Sequence, residues 1–114
     1  MDNKTKININ ILGTNYEVIT QTEEENPKLC DVDGLCEIYS HKIILRDIPT
    51  NPKNFENIAE YKKSVVRHEV IHAFFAESGL RMNYADNEEL VDWIATQFYK
   101  IDRVFGDLKV KEII

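Results

Sequence analysis

The first part of the chain carries the alternation of apolar and polar positions that is typical of β-strands. Isoleucine fills every second position from Ile7 to Ile11, and after a polar break a second β-rich run covers residues 16–20. This arrangement predicts a hairpin. Residues 36–39 and 42–46 predict a second hairpin. We therefore expect a small, mostly antiparallel sheet of three or four strands within residues 6–46.

From Pro52 onward the apolar positions follow a helical period. Intervals of three and four residues join Ile58, Tyr61, Val65, His68, His72 and Phe75. Gly79 and Gly106 are natural helix ends, so we expect helices over about residues 54–78 and 87–105. Strands followed by two helices predict one α+β domain over residues 1–114, with the helices against one face of the sheet.

Composition narrows the class of protein. The 114 residues suffice for one domain, and the net charge of −6 argues against a broad face for nucleic acid. No apolar stretch approaches the length of a membrane span, and residues 1–12 lack the plan of a signal peptide. Cys30 and Cys36 lack CxxC spacing. We therefore expect a cytoplasmic protein with reduced thiols and no membrane contact.

The segment with the clearest chemistry is His68-Glu69-Val70-Ile71-His72, an HExxH motif. Residues four apart share one face of a helix, so both imidazoles can bind one Zn²⁺. Glu69 lies where a general base can reach a zinc-bound water. The flanks are apolar, so the helix should be buried and its polar groups need partners. The alternative is a pair of hydrogen-bonded core histidines, with Glu69 in a salt bridge to Arg67 or a lysine.

A catalytic zinc needs a third protein ligand, and the second helix offers two glutamates. Glu88 lies at the edge of the apolar arc of that helix, whereas Glu89 lies nearly opposite the centre of the arc. We therefore favour Glu88 as the ligand and Glu89 as a capping charge at the helix N-terminus. Asp92, one turn after Glu88, can accept the second N–H of a ligating histidine. Without HExxH, the same segment would be interpreted as an ordinary acidic first turn.

The motifs HEVIH and NEELVD together resemble the gluzincin metallopeptidases, whose pattern is HExxH followed by NExxxD. The resemblance covers about residues 65–94 and is closest to miniature members, including small zincin-like proteins of phages and prophages. It implies a minimal zincin-like fold in which His68, His72 and Glu88 bind zinc, Glu69 is the base and Asp92 orients a histidine. By analogy with zincin sheets, residues 42–46 are the candidate edge strand for an extended peptide substrate.

Two functions from different classes follow from these motifs. The first is a zinc-dependent peptidase acting on a protein or peptide, with Tyr84 as a candidate donor to the oxyanion or, alternatively, as a residue packed over its loop. The second is a catalytically silent zincin-like module that holds zinc for regulation or interaction, with a fourth ligand from His41 or a cysteine. A metal-free interaction protein is a third possibility. For Trp93 on the second helix two positions stay open: half-buried against the sheet, or part of a surface that binds a partner.

Overall fold

A computed structural model describes residues 6–49, 55–80 and 87–108 of the chain. It confirms the predicted α+β class, with a four-stranded sheet followed by two helices. The elements are β1 (Ile7–Ile11), β2 (Thr14–Gln21), a 3₁₀ turn (Pro27–Leu29), β3 (Gly34–Glu37), β4 (Lys42–Arg46), α1 (Ile58–Ser78) and α2 (Glu88–Leu108). Neither helix has a stretch apolar enough to span a membrane within these residues.

The sheet is mixed, with strand order β1-β2-β4-β3. Both predicted hairpins are present, since β1 pairs antiparallel with β2 and β3 pairs antiparallel with β4. The hairpins join through a parallel pairing of β2 with β4, in which Val18 lies opposite Ile43. The sheet is thus mostly antiparallel, as predicted, with one parallel pair at its centre.

The expectation that residues 42–46 form an edge strand is wrong. Strand β4 lies inside the sheet, and β3 is the edge strand on that side. The reason is that Ile43 and Ile44 are both buried although they point to opposite faces. A continuous apolar run needs cover on both faces, which an interior strand receives.

One face of the sheet packs against α1. The core that they share consists of Ile11, Tyr16, Val18, Ile43 and Ala73, with Cys36 and Val70 beside it. At the end of α1, the carboxylate of Glu77 accepts hydrogen bonds from the Tyr16 hydroxyl at 2.7 Å and the Thr14 hydroxyl at 2.5 Å. These contacts fix α1 on the sheet, and α2 packs mainly against α1.

The helix ends differ in part from the sequence-based bounds. Helix α1 begins at Ile58, later than predicted, because the side chain of Asn57 caps it by accepting from the Glu60 N–H. Gly79 ends α1 as predicted, with a positive φ of 87°. Helix α2 continues past Gly106 to Leu108. Gly106 does not adopt the left-handed conformation of a terminating glycine, so the predicted end there is wrong.

Candidate metal centre

The predicted metal ligands converge where the middle of α1 meets the first turn of α2. The Nε2 atoms of His68 and His72 are 3.1 Å apart. Glu88 reaches both rings, with one carboxylate oxygen 2.7 Å from His68 Nε2 and the other 3.0 Å from His72 Nε2. The ligand atoms of the three residues all lie within 4.8 Å of one another. The structure therefore brings together two imidazole nitrogens and one carboxylate, as the sequence analysis expected.

The N-terminal cap of α2 explains why Glu88 and not Glu89 joins the histidines. The Asn87 side chain accepts a hydrogen bond from the Leu90 N–H at 3.0 Å, which fixes where the helix begins. Both glutamates are exposed, but in this register it is Glu88 that faces His68 and His72. Asn87 supplies the side-chain cap, and Glu89 lies in the first turn, where a negative charge is favoured.

Asp92 contacts the other side of the His68 ring. Its carboxylate lies 2.6 Å from His68 Nδ1, so Nδ1–H donates to Asp92, and Nε2 is the ring nitrogen that faces Glu88 and His72. Burial by itself lowers the pKa of His68. The hydrogen bond to Asp92 and the charges of Glu69 and Glu88 outweigh burial, so the pKa is raised. Asp92 therefore fixes the orientation of the His68 ring and favours a proton on its Nδ1.

Glu69 is the buried carboxyl group of the centre, with 8% of its surface exposed. Burial raises its pKa to about 7; His68 opposes this shift, and the carboxylates of Glu88 and Asp92 add to it. A carboxyl group with a pKa near neutrality can both accept and release a proton, which general acid–base chemistry requires. Its position follows from the HExxH spacing, one residue after His68 on α1.

A groove of about 890 Å³ opens over this centre. The candidate ligands His68, His72 and Glu88 line it together with Glu69 and Asp92. Apolar side chains, among them Leu35, Cys36, Ile38, Val65 and Ala76, and the polar side chains of Asp33, Tyr61 and Ser64 line it as well. Strand β3 forms one wall, and the groove combines polar and apolar surface beside the histidines.

The other candidate residues do not join the cluster. His41 is exposed and its ring lies 5.3 Å from that of Tyr16, while Cys30 is also exposed. Cys36 lines the groove, and burial raises the pKa of its thiol to about 12, which keeps the thiol protonated. Within the described residues, the group that could hold a metal ion therefore has three members and no fourth candidate ligand. Tyr84 lies outside the described residues.

The sequence predicted no role for Gly34. Gly34 is the first residue of β3, and a Cβ atom there would meet Val65 Cγ1 at 2.8 Å and Glu69 Cγ at 3.2 Å. Only glycine lets the strand approach α1 so closely, so Gly34 helps to place Glu69. An Asp-Gly pair such as Asp33-Gly34 is typical of a turn, so the sequence carries no sign of this close packing.

A second feature that the sequence did not predict is the polar tie beside the groove, defined as the hydrogen bonds of Asp33 with Arg46 and Tyr61. The carboxylate of Asp33 accepts from Arg46 Nη2 at 2.7 Å and from the Tyr61 hydroxyl on α1. Burial acts to raise the pKa of Asp33, but the bonds from Tyr61 and Arg46 outweigh it and lower that pKa. Donation to Asp33 raises the pKa of Tyr61 to about 12. The polar tie therefore connects the last residue of β4 and the residue before β3 to the first half of α1.

The geometry of this candidate centre follows from contacts within the chain. Two histidines one turn apart, a capped second helix that presents Glu88, and Asp92 behind His68 form one connected group. Comparisons with protein-family models, with curated proteins and with solved structures gave no match to this chain.

Proposed function

We propose that this chain is a zinc-dependent peptidase. The observation that carries the proposal is the convergence of His68 Nε2, His72 Nε2 and the Glu88 carboxylate. Two histidines and one glutamate are a known ligand set of catalytic zinc, and three protein ligands leave one position open for water or substrate. Asp92 on His68 Nδ1 adds the outer carboxylate that such ligands usually have.

The chemistry divides between the metal and Glu69. Zinc held by His68, His72 and Glu88 would supply a bound water of lowered pKa and would polarise a scissile carbonyl. Glu69, one residue after His68 on α1, would be the group that accepts a proton from such a water and donates it to the leaving amine. Asp92 holds His68 in the tautomer that leaves Nε2 free.

An extended peptide is the substrate class that the groove favours. Strand β3 is an edge of the sheet and contributes Gly34, Leu35 and Cys36 to the groove wall. A peptide can pair with such an edge through backbone hydrogen bonds while its side chains enter the apolar part of the groove. We place the activity in the cytoplasm, where the free thiols of Cys30 and Cys36 stay reduced.

The first test is the zinc content of protein purified without added metal or chelator, followed by a screen for peptide hydrolysis. We expect close to one zinc per chain, and loss of hydrolysis with zinc retained in Glu69→Gln. Glu89→Gln is the matched control, since it changes an exposed carboxylate and should alter neither property.

The outcomes separate the alternatives. Protein that binds no zinc and is not stabilised by added Zn²⁺ would refute the metal centre. One zinc per chain without hydrolysis of any peptide would refute the enzyme and support the catalytically silent module. Hydrolysis that persists in Glu69→Gln would refute the role of Glu69 as base.

A further inference from the structure

The carboxyl-terminal half of α2 carries an apolar stripe, defined as Phe98, Ile101, Phe105 and Leu108, in which Ile101 is half-buried and the other three are exposed. Phe98 is 59% exposed, Phe105 62% and Leu108 50%, whereas Val91 on the first half of the same helix is fully buried. Within the described residues, the only element with substantial contacts to α2 is α1. Large apolar side chains gathered on one helix face mark an interaction surface.

The stripe continues the seam along which α2 already packs on α1. Alternating intervals of three and four residues join Val91, Ile94, Phe98, Ile101, Phe105 and Leu108. This is the a/d pattern of a coiled coil, in which every a and d position packs against a facing helix. The first part of the seam has its partner in α1, and the stripe is the remainder.

The local sequence also requires a partner for this half of the helix. Aromatic and β-branched residues, together with Gly106, are weak helix formers. Most helical stability in proteins comes from packing of the apolar face and not from intrinsic propensity. A helix that continues to Leu108 through such residues therefore depends on contacts made by the stripe.

We propose that the stripe binds the stripe of a second copy of this chain, with the two α2 helices antiparallel about a two-fold axis. From Phe98 to Leu108 the intervals are three, four and three, which read the same in both directions. A two-fold interface requires this self-complementarity, because each surface meets an identical one in reverse.

Charge favours a second copy over an acidic or basic partner. The chain as a whole has a net charge of −6, so most of its surface repels another copy. The helix segment that carries the stripe, residues 98–108, has no net charge, because its two basic and two acidic side chains balance: Lys100, Arg103, Asp102 and Asp107. Two copies therefore meet where their mutual repulsion is smallest.

The surface next to the stripe extends the contact. A groove of about 470 Å³ between α1 and α2 opens beside Phe98 and is almost entirely apolar, with Val70, Phe74 and Ile94 among its walls. Even with this groove the area is small, so the dimer belongs with interfaces below about 1,200 Å², which form reversibly. We expect a dimer that depends on protein concentration.

Sedimentation equilibrium on the full chain, from about 10 µM to about 1 mM, tests this directly. We expect the mass to rise from 13.3 kDa toward twice that value. Phe105→Glu should remain at 13.3 kDa across the range. The matched control is Trp93→Glu, which replaces a side chain that is 55% exposed on α2 but outside the stripe, and it should dimerise as the wild type does.

Leu108→Glu provides a second variant at the helix end, where a charge disturbs folding least, and far-ultraviolet circular dichroism checks the fold of each. A wild type that stays monomeric at about 1 mM would overturn the proposal. Equal loss of dimer in Phe105→Glu and Trp93→Glu would also overturn it, since the contact would not be specific to the stripe. None of these results depends on zinc.

Discussion

Asp92 makes its hydrogen-bond contact with the candidate centre through His68, which makes its contribution measurable. Asp92→Asn removes the carboxylate that lies 2.6 Å from His68 Nδ1. Loss of such an outer partner lowers metal affinity about 10- to 100-fold. Competition with a chromophoric chelator measures the zinc dissociation constant. Glu89→Gln is the control of equal charge change, and similar affinities for the two variants would contradict the role of Asp92.

The close approach at Gly34 gives a second prediction at the scale of residues. Gly34→Ala should lower the free energy of unfolding by about 1–3 kcal/mol, since the added Cβ would meet Val65 at 2.8 Å. Gly106→Ala is the matched control, because nothing lies within 4 Å of its added Cβ. In the helix interior that change should raise stability by up to about 1 kcal/mol.

Urea denaturation of Gly34→Ala and Gly106→Ala measures whether each substitution lowers or raises the free energy of unfolding. If Gly34→Ala were as stable as the wild type, β3 could move away from α1 with no loss in the free energy of unfolding. That result would contradict the claim that the close packing at Gly34 helps to place Glu69.

Much of the candidate site could be predicted from single residues. The HExxH spacing and the helical wheel around Glu88 follow from helix geometry, which depends on local sequence. The roles of Gly34 and Tyr61 could not be predicted, because both depend on how closely α1 approaches β3. That distance is set by packing between elements far apart in the chain.

At the scale of elements, the tie of Tyr61 to Asp33 joins α1 to the sheet. Tyr61→Phe removes the donated hydrogen bond and should lower the free energy of unfolding at neutral pH by about 1–3 kcal/mol. The measurement is urea denaturation of both proteins across pH. Tyr99→Phe, which changes an exposed tyrosine of α2, is the control and should change stability little.

The difference in the free energy of unfolding between the wild type and Tyr61→Phe should change with pH in a defined direction. The pKa of Tyr61 is raised to about 12 in the folded state, so its stabilising effect is complete below about pH 10 and is lost as the pH rises toward 12. The pKa of Asp33 is lowered, so its contribution is present above about pH 4 and is lost as the pH falls through its folded value. A difference between wild type and Tyr61→Phe that stays constant above pH 10 would contradict the tie.

The elements themselves were predictable to different degrees. Both hairpins and both helices follow from short-range periodicity. The parallel pairing of β2 with β4 does not, since a pairing between non-consecutive strands leaves no local pattern. In the sequence, the consecutive apolar residues Ile43, Ile44 and Leu45 were the available sign that β4 is interior. The continuation of α2 past Gly106 could not be predicted, because glycine usually marks the end of a helix.

For the whole molecule, binding of zinc should be linked to stability, because the ligands lie on two helices that unfolding separates. At a free zinc concentration about 100 times the dissociation constant, the folded state gains about 2.7 kcal/mol. Thermal unfolding with zinc and with a chelator should therefore differ. His72→Ala should abolish the difference, whereas His41→Ala, outside the cluster, should keep it. An unchanged zinc effect in His72→Ala would contradict the ligand set.

The distribution of contacts along the chain also implies an order of assembly during folding. His68 and Asp92 are 24 positions apart, whereas Glu77 meets Tyr16 across 61 positions. Shorter loops close at lower entropic cost, and local contacts form faster than distant ones. We expect the two helices to pair before α1 docks on the sheet. The ligands for a cation would then meet before the wall of β3 encloses them, so the ion can be captured while the groove is still open.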